Sequence, residues 1–218
     1  MRTTKPHFIF DFGAVLFRWR PQVLLAQVLP QRVHDEASAQ HWKEQIFQSY
    51  QGDWGDFDDG KVTVPELVAR ISARTGLAPQ EVQAVVDAVP AELAPIPGSV
   101  AVLAALREAG HRLFFLSNMP EPYAQHLEQQ HDFVRRFEDG VFSARVGCRK
   151  PAARIFQIAF ERFGIAPGEA LFIDDHPANI AAAQALGLPA LLFTTPQQLA
   201  LDLAARGIPV PAATFAPN

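Results

Sequence analysis

The chain is almost free of cysteine, with Cys148 as its one thiol among 218 residues. A single cysteine excludes a disulfide within the chain and is typical of a reducing compartment. An excess of charge of one sign is also missing, because 19 basic residues stand against 23 acidic ones. Such a balance offers no electrostatic footprint for nucleic acid or for an anionic membrane. We therefore expect neither as a partner.

Long apolar runs are absent as well. No stretch reaches the roughly 20 apolar residues that a membrane-spanning helix needs, and the residues before His7 lack the apolar segment of a secretory signal. The chain does have a high apolar content, with 49% hydrophobic residues and 17 Phe, which is enough for a substantial core. These features predict a soluble, cytoplasmic, globular protein that is a monomer or a homodimer.

The apolar run from Phe8 to Phe10 stops at a carboxylate, Asp11, and Gly13 follows two places later. A short, wholly apolar run is typical of a strand that is buried on both faces of a parallel sheet. Asp11 would then lie at the carboxyl edge of the sheet, where open α/β folds bind ligands. Since a buried charge needs a partner, a metal or a chemical role, Asp11 is a candidate functional residue. Taken alone, it could equally cap a helix.

Residues 18–93 show helical periodicity and no convincing strand. Their pattern predicts four helices, one of which begins with the capping signal Thr63-x-x-Glu66. Trp54 and Asp56 are predicted to lie in a polar loop bounded by glycines. An all-helical insert directly after the first strand would cover the carboxyl edge of the sheet.

The segment 94–98 contains two prolines and a glycine, and it is the predicted linker back to the main domain. Strands and helices then alternate regularly up to a Pro- and Ala-rich tail after Gly207, as in a parallel sheet with helices on both faces. The predicted fold class is α/β, with a Rossmann-like parallel-sheet core and an inserted helical cap. The core would comprise residues 1–17 and 94–218, and the cap residues 18–93.

Two further loops carry polar groups just before a predicted helix. Ser117-Asn118 ends a strand, and a hydroxyl beside exposed N–H groups at a helix N-terminus can hold an anion. Either residue could also simply cap that helix. Lys150 precedes another helix, where a cation is unfavourable to the helix dipole, so a function would have to offset its placement.

The pair Asp174-Asp175 follows the apolar strand predicted at 170–173. Adjacent carboxylates repel each other unless a cation lies between them or one of them caps the next helix. Asp175 or His176 could be that cap, and Asn179 could hold the loop. Because the carboxyl ends of parallel strands share one edge of the sheet, we expect these side chains to meet the other candidates in one site.

Four motifs therefore occur in a fixed order along the chain, with the helical insert after the first of them. They are Phe-Asp11-Phe-Gly-Ala-Val, Leu-Ser117-Asn, Arg-Lys150-Pro and Ile-Asp174-Asp175. This arrangement resembles the haloacid dehalogenase-like (HAD) hydrolase superfamily, in its members with a type-I (C1) cap, over essentially the whole chain. The resemblance implies a phosphatase that acts on a small phosphorylated metabolite through an aspartyl-phosphate intermediate.

The resemblance also implies the roles of individual residues. Asp11 would be the nucleophile, and Mg²⁺ would be bound by Asp11, the backbone carbonyl of Gly13, Asp174 and Asp175, which is an oxygen-only set that suits magnesium. The remaining expected contacts to the phosphoryl group are Ser117, Asn118 and Lys150. Substrate contacts from the entry to the cap are expected from Arg18 and Trp19.

Gly13 departs from the usual phosphatase pattern, which has a second aspartate at this position as general acid and base. General acid–base help is typically worth about 10²–10⁴-fold in rate. The form Asp-x-Gly-x-Val is similar to the sugar-phosphate branch that resembles bacterial α-D-glucose-1-phosphate phosphatase. A sugar phosphate, and in particular an anomeric one whose leaving group needs little protonation, is therefore the expected substrate. Alternatively, a cap residue or a water supplies the proton.

Two other functions stay open at this point. A carbon–halide hydrolase of the same fold would use the same nucleophile without a metal, but it would gain nothing from adjacent carboxylates at 174 and 175. A catalytically impaired member with a binding or regulatory role would explain Gly13. It would not explain why Asp11, Lys150 and both distal aspartates are present.

Overall fold

The computed structural model describes residues 5–210. Five parallel strands form one sheet in the order β3-β2-β1-β4-β5. In chain order they are β1 His7–Phe10, β2 Leu113–Ser117, β3 Asp139–Phe142, β4 Ala170–Asp174 and β5 Ala190–Leu192. The predicted α/β class and parallel sheet are confirmed. β1 takes the central position because its apolar side chains suit a strand covered on both faces.

The helices follow the predicted alternation with shifts of a few residues. Between β1 and β2 lie α1 Pro21–Val28, α2 Glu36–Phe47, α3 Gly52–Asp58, α4 Val64–Thr75, α5 Pro79–Glu92 and α6 Pro97–Glu108. After β2 come α7 Glu121–Gln130, α8 Ala153–Phe163, α9 Pro177–Ala185 and α10 Pro196–Ala204.

The alternation of side chains along β1 divides the core into two layers. Phe8 and Phe10 point to one face, where they share a cluster with buried residues of α6, α7, α10 and the insert. Ile9 points to the other face and packs in a cluster with residues of α8 and α9, among them Phe156. Both faces of the sheet are therefore covered, and the carboxyl ends of the strands are left to the insert.

The insert contains one more helix than predicted. Trp54 and Asp56 lie in α3 and not in a polar loop. The two glycines at 52 and 55 weaken the helical signal, but Trp54 and Phe57 are spaced one helical turn apart and are both buried. Trp54 packs edge-on against Phe47, with ring centroids 4.4 Å apart. Tertiary burial thus decides the structure of this segment.

Paired hydrogen bonds join the two connections between the insert and the core. The Arg18 N–H donates to the Ala94 carbonyl at 2.8 Å, and the Ile96 N–H donates to the Leu16 carbonyl at 2.8 Å. These bonds lie beside the predicted boundary, and we retain the division into a core (1–17 and 94–218) and a cap (18–93) as a proposal. The part of the predicted tail beyond residue 210 lies outside the described residues.

The helix α3 is fastened to the core at its C-terminal end. Ser143 Oγ donates a hydrogen bond to the backbone carbonyl of Asp58, and Arg149 Nη1 donates to the carbonyl of Gly55 at 3.0 Å. Gly60 adopts φ +70°, and a Cβ placed there would lie 2.6 Å from the Ala144 carbonyl oxygen. The end of α3 can therefore approach the core this closely only with glycine at position 60.

None of the helices within residues 5–210 is both long enough and apolar enough to cross a membrane.

We expect Gly60→Ala to destabilise the protein more than Gly76→Ala does. Both glycines adopt a positive φ, +70° and +75°, but a Cβ at Gly76 would meet no atom within 4 Å. The left-handed conformation should cost each variant about 1–2 kcal/mol, and the clash with Ala144 should add about 1–3 kcal/mol in Gly60→Ala alone. The measurement is the free energy of unfolding in urea. Equal losses in the two variants would show that the contact at Gly60 does not constrain the cap.

Candidate active site

The sheet order brings the predicted residues together. β1 lies between β2 and β4, with Phe10 opposite Phe115 on one side and Ile173 on the other. Asp11 directly follows β1, Ser117 ends β2 and Asp174 ends β4. Three residues that are far apart in sequence therefore meet at one edge of the sheet, as the strand pattern predicts.

Lys150 lies between two of the carboxylates. Its Nζ is 2.8 Å from Asp11 Oδ1 and 2.6 Å from Asp174 Oδ2, and all three residues are buried. Burial alone would lower the pKa of Lys150, but the charges of Asp11 and Asp174 outweigh it and raise that pKa. Lys150 is therefore a fixed cation. Its two ion pairs compensate for the unfavourable position of a positive charge just before the N-terminus of α8.

Neighbouring groups hold this lysine and Asp174 in place. The side chain of Asn118 donates to the Lys150 carbonyl at 2.9 Å and accepts from the Lys150 N–H at 2.8 Å. Asp174 Oδ1 accepts from the His176 N–H at 2.8 Å and from Asn179 Nδ2 at 3.0 Å. Asn118 thus acts on Lys150 through its side chain, and Asn179 holds the acidic loop.

Asp175 and His176 are the two candidate caps of α9. His176, and not Asp175, caps α9, because its ring nitrogen accepts from the Ala178 N–H. Asp175 is therefore free to serve the site. Asp11, Asp174 and Asp175 each offer a carboxylate oxygen, and these oxygens lie within 4.8 Å of one another.

Electrostatic repulsion in this group calls for a second cation. Burial raises the pKa of Asp11 to about 7, the charges of Asp174 and Asp175 add to the rise, and Lys150 opposes it. Burial and the charge of Asp174 also raise the pKa of Asp175. One lysine cannot balance three carboxylates, and oxygen-only donors suit a hard divalent ion such as Mg²⁺. The residues present therefore fit a magnesium site.

Ser117 ends β2 directly before Asn118, which lines the cavity above the carboxylates. Its Oγ is buried and has no hydrogen-bond partner among the described residues. A buried hydroxyl without a hydrogen bond typically costs about 1–3 kcal/mol in stability. A hydrogen bond from Ser117 to an oxygen of a ligand would remove this cost.

A cavity of about 160 Å³ opens above the carboxylates. Asp11, Lys150 and Asp175 lie on its polar side. Apolar and aromatic residues also line it, among them Trp19, Tyr50, Trp54, Leu93, Met119 and Tyr123. The core thus supplies Asp11, Lys150 and Asp175, while both the insert and the core contribute apolar surface.

Trp19 and Arg18, the two expected substrate contacts at the entry to the cap, have different surroundings. Trp19 lines the cavity, and its Nε1 donates to the Tyr50 hydroxyl at 2.7 Å. Arg18 is not part of the cavity wall, and its Nε lies 3.4 Å from the buried Glu92 at the far end of the insert. Glu92 also accepts two hydrogen bonds from Arg20. The structure therefore places Arg18 in an ion pair at the base of the cap.

Sequence reasoning missed Asp58, which lies in the cavity wall and is 4% exposed. The sequence Asp58-Asp59-Gly60-Lys61 is a turn signal, and a turn does not by itself point to a functional carboxylate. The available signal was a second pair of adjacent carboxylates next to the buried Phe57, in the segment expected to cover the site.

A family model described as haloacid dehalogenase-like hydrolase matches residues 8–187. The chain therefore belongs to this family of hydrolases, as its four motifs predict. Among curated relatives, the sesquiterpene phosphatase astK of Aspergillus oryzae is 27% identical over 204 residues, which cover 93% of this chain and 97% of that protein. The narrower branch and the cap type stay predictions.

Solved structures agree with the fold. A HAD-like family hydrolase from Porphyromonas gingivalis has a TM-score of 0.72 at 24% identity and covers 93% of this chain and 97% of that one. A HAD family enzyme from Bacteroides thetaiotaomicron, in complex with magnesium and inorganic phosphate, has a TM-score of 0.69 at 21% identity and covers 88% of this chain and 95% of that one.

We expect Lys150→Met to destabilise the protein by about 3–5 kcal/mol, because it leaves buried carboxylates without their cation. Lys61→Met is the control. Lys61 is exposed, and its partner Asp59 keeps Arg149, so this loss should stay below about 1 kcal/mol. The measurement is urea unfolding with and without Mg²⁺, and the added ion should recover part of the loss in Lys150→Met only. Equal losses in both variants would contradict the central role of Lys150.

Proposed function

We propose that the protein is a magnesium-dependent phosphatase that hydrolyses a small organic phosphate through an aspartyl-phosphate on Asp11. The observation that carries the proposal is the convergence of three carboxylates and one buried lysine beside a cavity. Mg²⁺ would be held by Asp11, the carbonyl of Gly13, Asp174 and Asp175, and when bound it would supply the positive charge that lets a phosphate dianion approach.

The surroundings of Asp11 support its role as nucleophile. Its Oδ1 accepts from the Phe12 N–H at 2.7 Å and pairs with Lys150 Nζ at 2.8 Å. No hydrogen bond to its Oδ2 occurs within the described residues. Two donors thus fix the orientation of the carboxylate, while one oxygen keeps its lone pairs for attack on phosphorus.

Other residues would bind the phosphoryl group. The Lys150 ammonium and the unpaired Ser117 hydroxyl can donate to phosphoryl oxygens, where negative charge develops as the ester bond breaks. Asn118 keeps Lys150 in place through its two hydrogen bonds. After the alcohol leaves, water attacks the phosphorus of the aspartyl-phosphate and regenerates the carboxylate of Asp11.

Two substrate classes are consistent with this chemistry. The sugar phosphate expected from the sequence rests on Gly13. The cavity wall instead favours an apolar carbon skeleton, because Trp54, Leu93 and Tyr123 offer surface for hydrophobic contact. A relative that matches 93% of this chain is named as a sesquiterpene phosphatase. We therefore place an apolar organic phosphate first and a sugar phosphate second.

The carbon–halide alternative is less well supported. Such a reaction needs the nucleophile and a halide site but no metal. The three carboxylates with oxygens within 4.8 Å of one another would then be left with one lysine as counter-charge.

We expect Asp11→Asn to lower the hydrolysis of 4-nitrophenyl phosphate in the presence of Mg²⁺ by at least about 10³-fold, because the covalent route is lost. Chelation of Mg²⁺ should abolish the wild-type activity. The control is Asp132→Asn, a carboxylate that is 84% exposed and does not line the cavity. Halide release from 2-chloropropionate in the presence of chelator, without ester hydrolysis, would contradict the proposal.

A substrate panel tests the order of the two classes. We expect kcat/KM for geranyl phosphate to exceed that for glucose 1-phosphate by at least about tenfold, since each buried methylene contributes about 0.8 kcal/mol. Trp54→Ala should reduce this ratio, whereas Trp42→Ala, a partly buried residue of the insert that does not line this cavity, should leave it unchanged. A higher value for glucose 1-phosphate would favour the sugar phosphate.

A further inference from the structure

With glycine at position 13, the core lacks the aspartate that would protonate the leaving oxygen. The remaining cavity groups with a proton to give are restricted by their contacts. The Tyr123 hydroxyl donates to the Val86 carbonyl, and His176 Nδ1 accepts from the Ala178 N–H in the first turn of α9. The Tyr50 hydroxyl accepts from Trp19, and burial raises the pKa of Tyr50 to about 12.

Asp58 differs from all of these. It is 4% exposed and lies in the cavity wall together with Asp11 and Lys150. Within residues 5–210 no hydrogen bond or ion pair involves its carboxyl group, although its backbone carbonyl accepts from Ser143. A buried carboxyl group without a partner is costly unless it is neutral or has a role in binding or catalysis.

The neighbouring Asp59 shows what an ordinary structural carboxylate looks like in the same place. Asp59 is equally buried, but it pairs with Arg149 and with Lys61. Arg149 and Lys61 thus form their ion pairs with Asp59 and not with Asp58. Asp58 therefore stands as the unpaired member of the two, and it lines the cavity.

The position of Asp58 is fixed by the core and not by the cap alone. Ser143 Oγ donates to the Asp58 carbonyl and accepts from the Met119 N–H at 2.9 Å. Met119 follows directly on Ser117-Asn118. One serine thus connects the end of α3 to the loop that we assign to phosphoryl binding.

The electrostatic surroundings of Asp58 favour the protonated form. Burial raises its pKa well above the ordinary value, the charges of Asp59 and Asp11 add to the rise, and Arg149 opposes it. Tyr50 and Tyr123, which also face this part of the cavity, are neutral near pH 7 because burial raises their pKa values further. Asp58 is not one of the three carboxylates that form the metal group.

We propose that Asp58, a residue of the cap, is the general acid and base of the reaction in place of the aspartate that Gly13 lacks. The inference rests on the proposed phosphatase function. As an Asp11 oxygen bonds to phosphorus and the ester P–O bond breaks, the Asp58 carboxyl gives its proton to the leaving oxygen, which departs as an alcohol. Asp58 then takes a proton from the water that attacks the aspartyl-phosphate. Asp11 leaves as a carboxylate, and hydrogen phosphate is released.

The test compares esters of one size whose leaving groups differ: 4-nitrophenyl, phenyl and benzyl phosphate. A good leaving group departs without a proton, whereas a poor one needs the acid. We expect Asp58→Asn to lower kcat/KM for benzyl phosphate by about 10²–10⁴-fold and for 4-nitrophenyl phosphate by less than about tenfold. A variant that is merely misfolded would lose activity towards all three esters by the same factor.

Two further variants sharpen the test. Asp56→Asn, on the same helix but paired with Arg70 at the surface, should show no change in leaving-group dependence. A Cβ at Gly13 would meet no atom within 4 Å, so the double variant Asp58→Asn, Gly13→Asp can place a carboxyl group beside Asp11. We expect it to recover the hydrolysis of benzyl phosphate relative to Asp58→Asn alone.

The outcomes separate the two proposals. An active wild-type enzyme with the same factor of loss for all three esters in Asp58→Asn, or with no loss, would overturn the role of Asp58 and leave the phosphatase function standing. A wild-type protein that hydrolyses none of the esters with Mg²⁺ would overturn the proposed function, and the role of Asp58 with it.

Discussion

The ammonium group of Lys150 lies between Asp11 and Asp174, and the rest of the site depends on this contact. Removing such a cation and its carboxylates from water costs several kcal/mol for each ion, and the cost is offset only when hydrogen bonds complete the group. The structure provides those bonds through Asn118 on the lysine side and Asn179 on the aspartate side. Much of the polar chemistry at this edge of the sheet therefore serves to keep one buried charge in place.

Because Lys150 pairs with two carboxylates, its single positive charge does not balance the negative charge of the site. Lys150 interacts with Asp11 and Asp174 but makes no ion pair with Asp175. Fixed negative charge in a buried cavity would repel a phosphate dianion, and a divalent cation removes this conflict. Under the proposed function, the lysine would position Asp11 as the nucleophile, and the unbalanced carboxylates would attract the metal ion. A site with three cationic side chains would also bind phosphate, but the cations would lower the nucleophilicity of the carboxylate.

The sequence predicts the core well because the core follows local rules. Short apolar strands that end in polar residues, with helices between them, leave few alternatives for the arrangement of a parallel sheet. The positions of Asp11, Ser117 and Asp174 follow from that arrangement alone. The capping of α4 by Thr63 and Glu66 is equally local, and it occurs as predicted.

The cap is less predictable because its structure depends on distant contacts. The helix α3 forms despite two glycines, since Trp54 buries its ring against Phe47. Arg18 forms an ion pair with Glu92, which is more than 70 residues away in the chain, and no local sequence pattern predicts such a pair. Asp58 looks like part of a turn until the docking of α3 on Ser143 places it in the cavity wall. In each case a tertiary contact decides the role of the residue.

A general acid on the cap has a consequence that one on the core would not have. An aspartate at position 13 would stand beside Asp11 whether or not the cap is docked. Asp58 lies at the end of α3, and this end of the helix and Gly60 beside it contact Ser143, Arg149 and Ala144 of the core. If the proposed acid acts from the cap, docking of the cap would also bring the apolar wall against the substrate and exclude water, which would strengthen every electrostatic interaction within the site. Protonation of the leaving group, recognition of the carbon skeleton and exclusion of water would then depend on one and the same contact, so that a phosphate ester too small to hold the cap closed would meet the nucleophile without the acid.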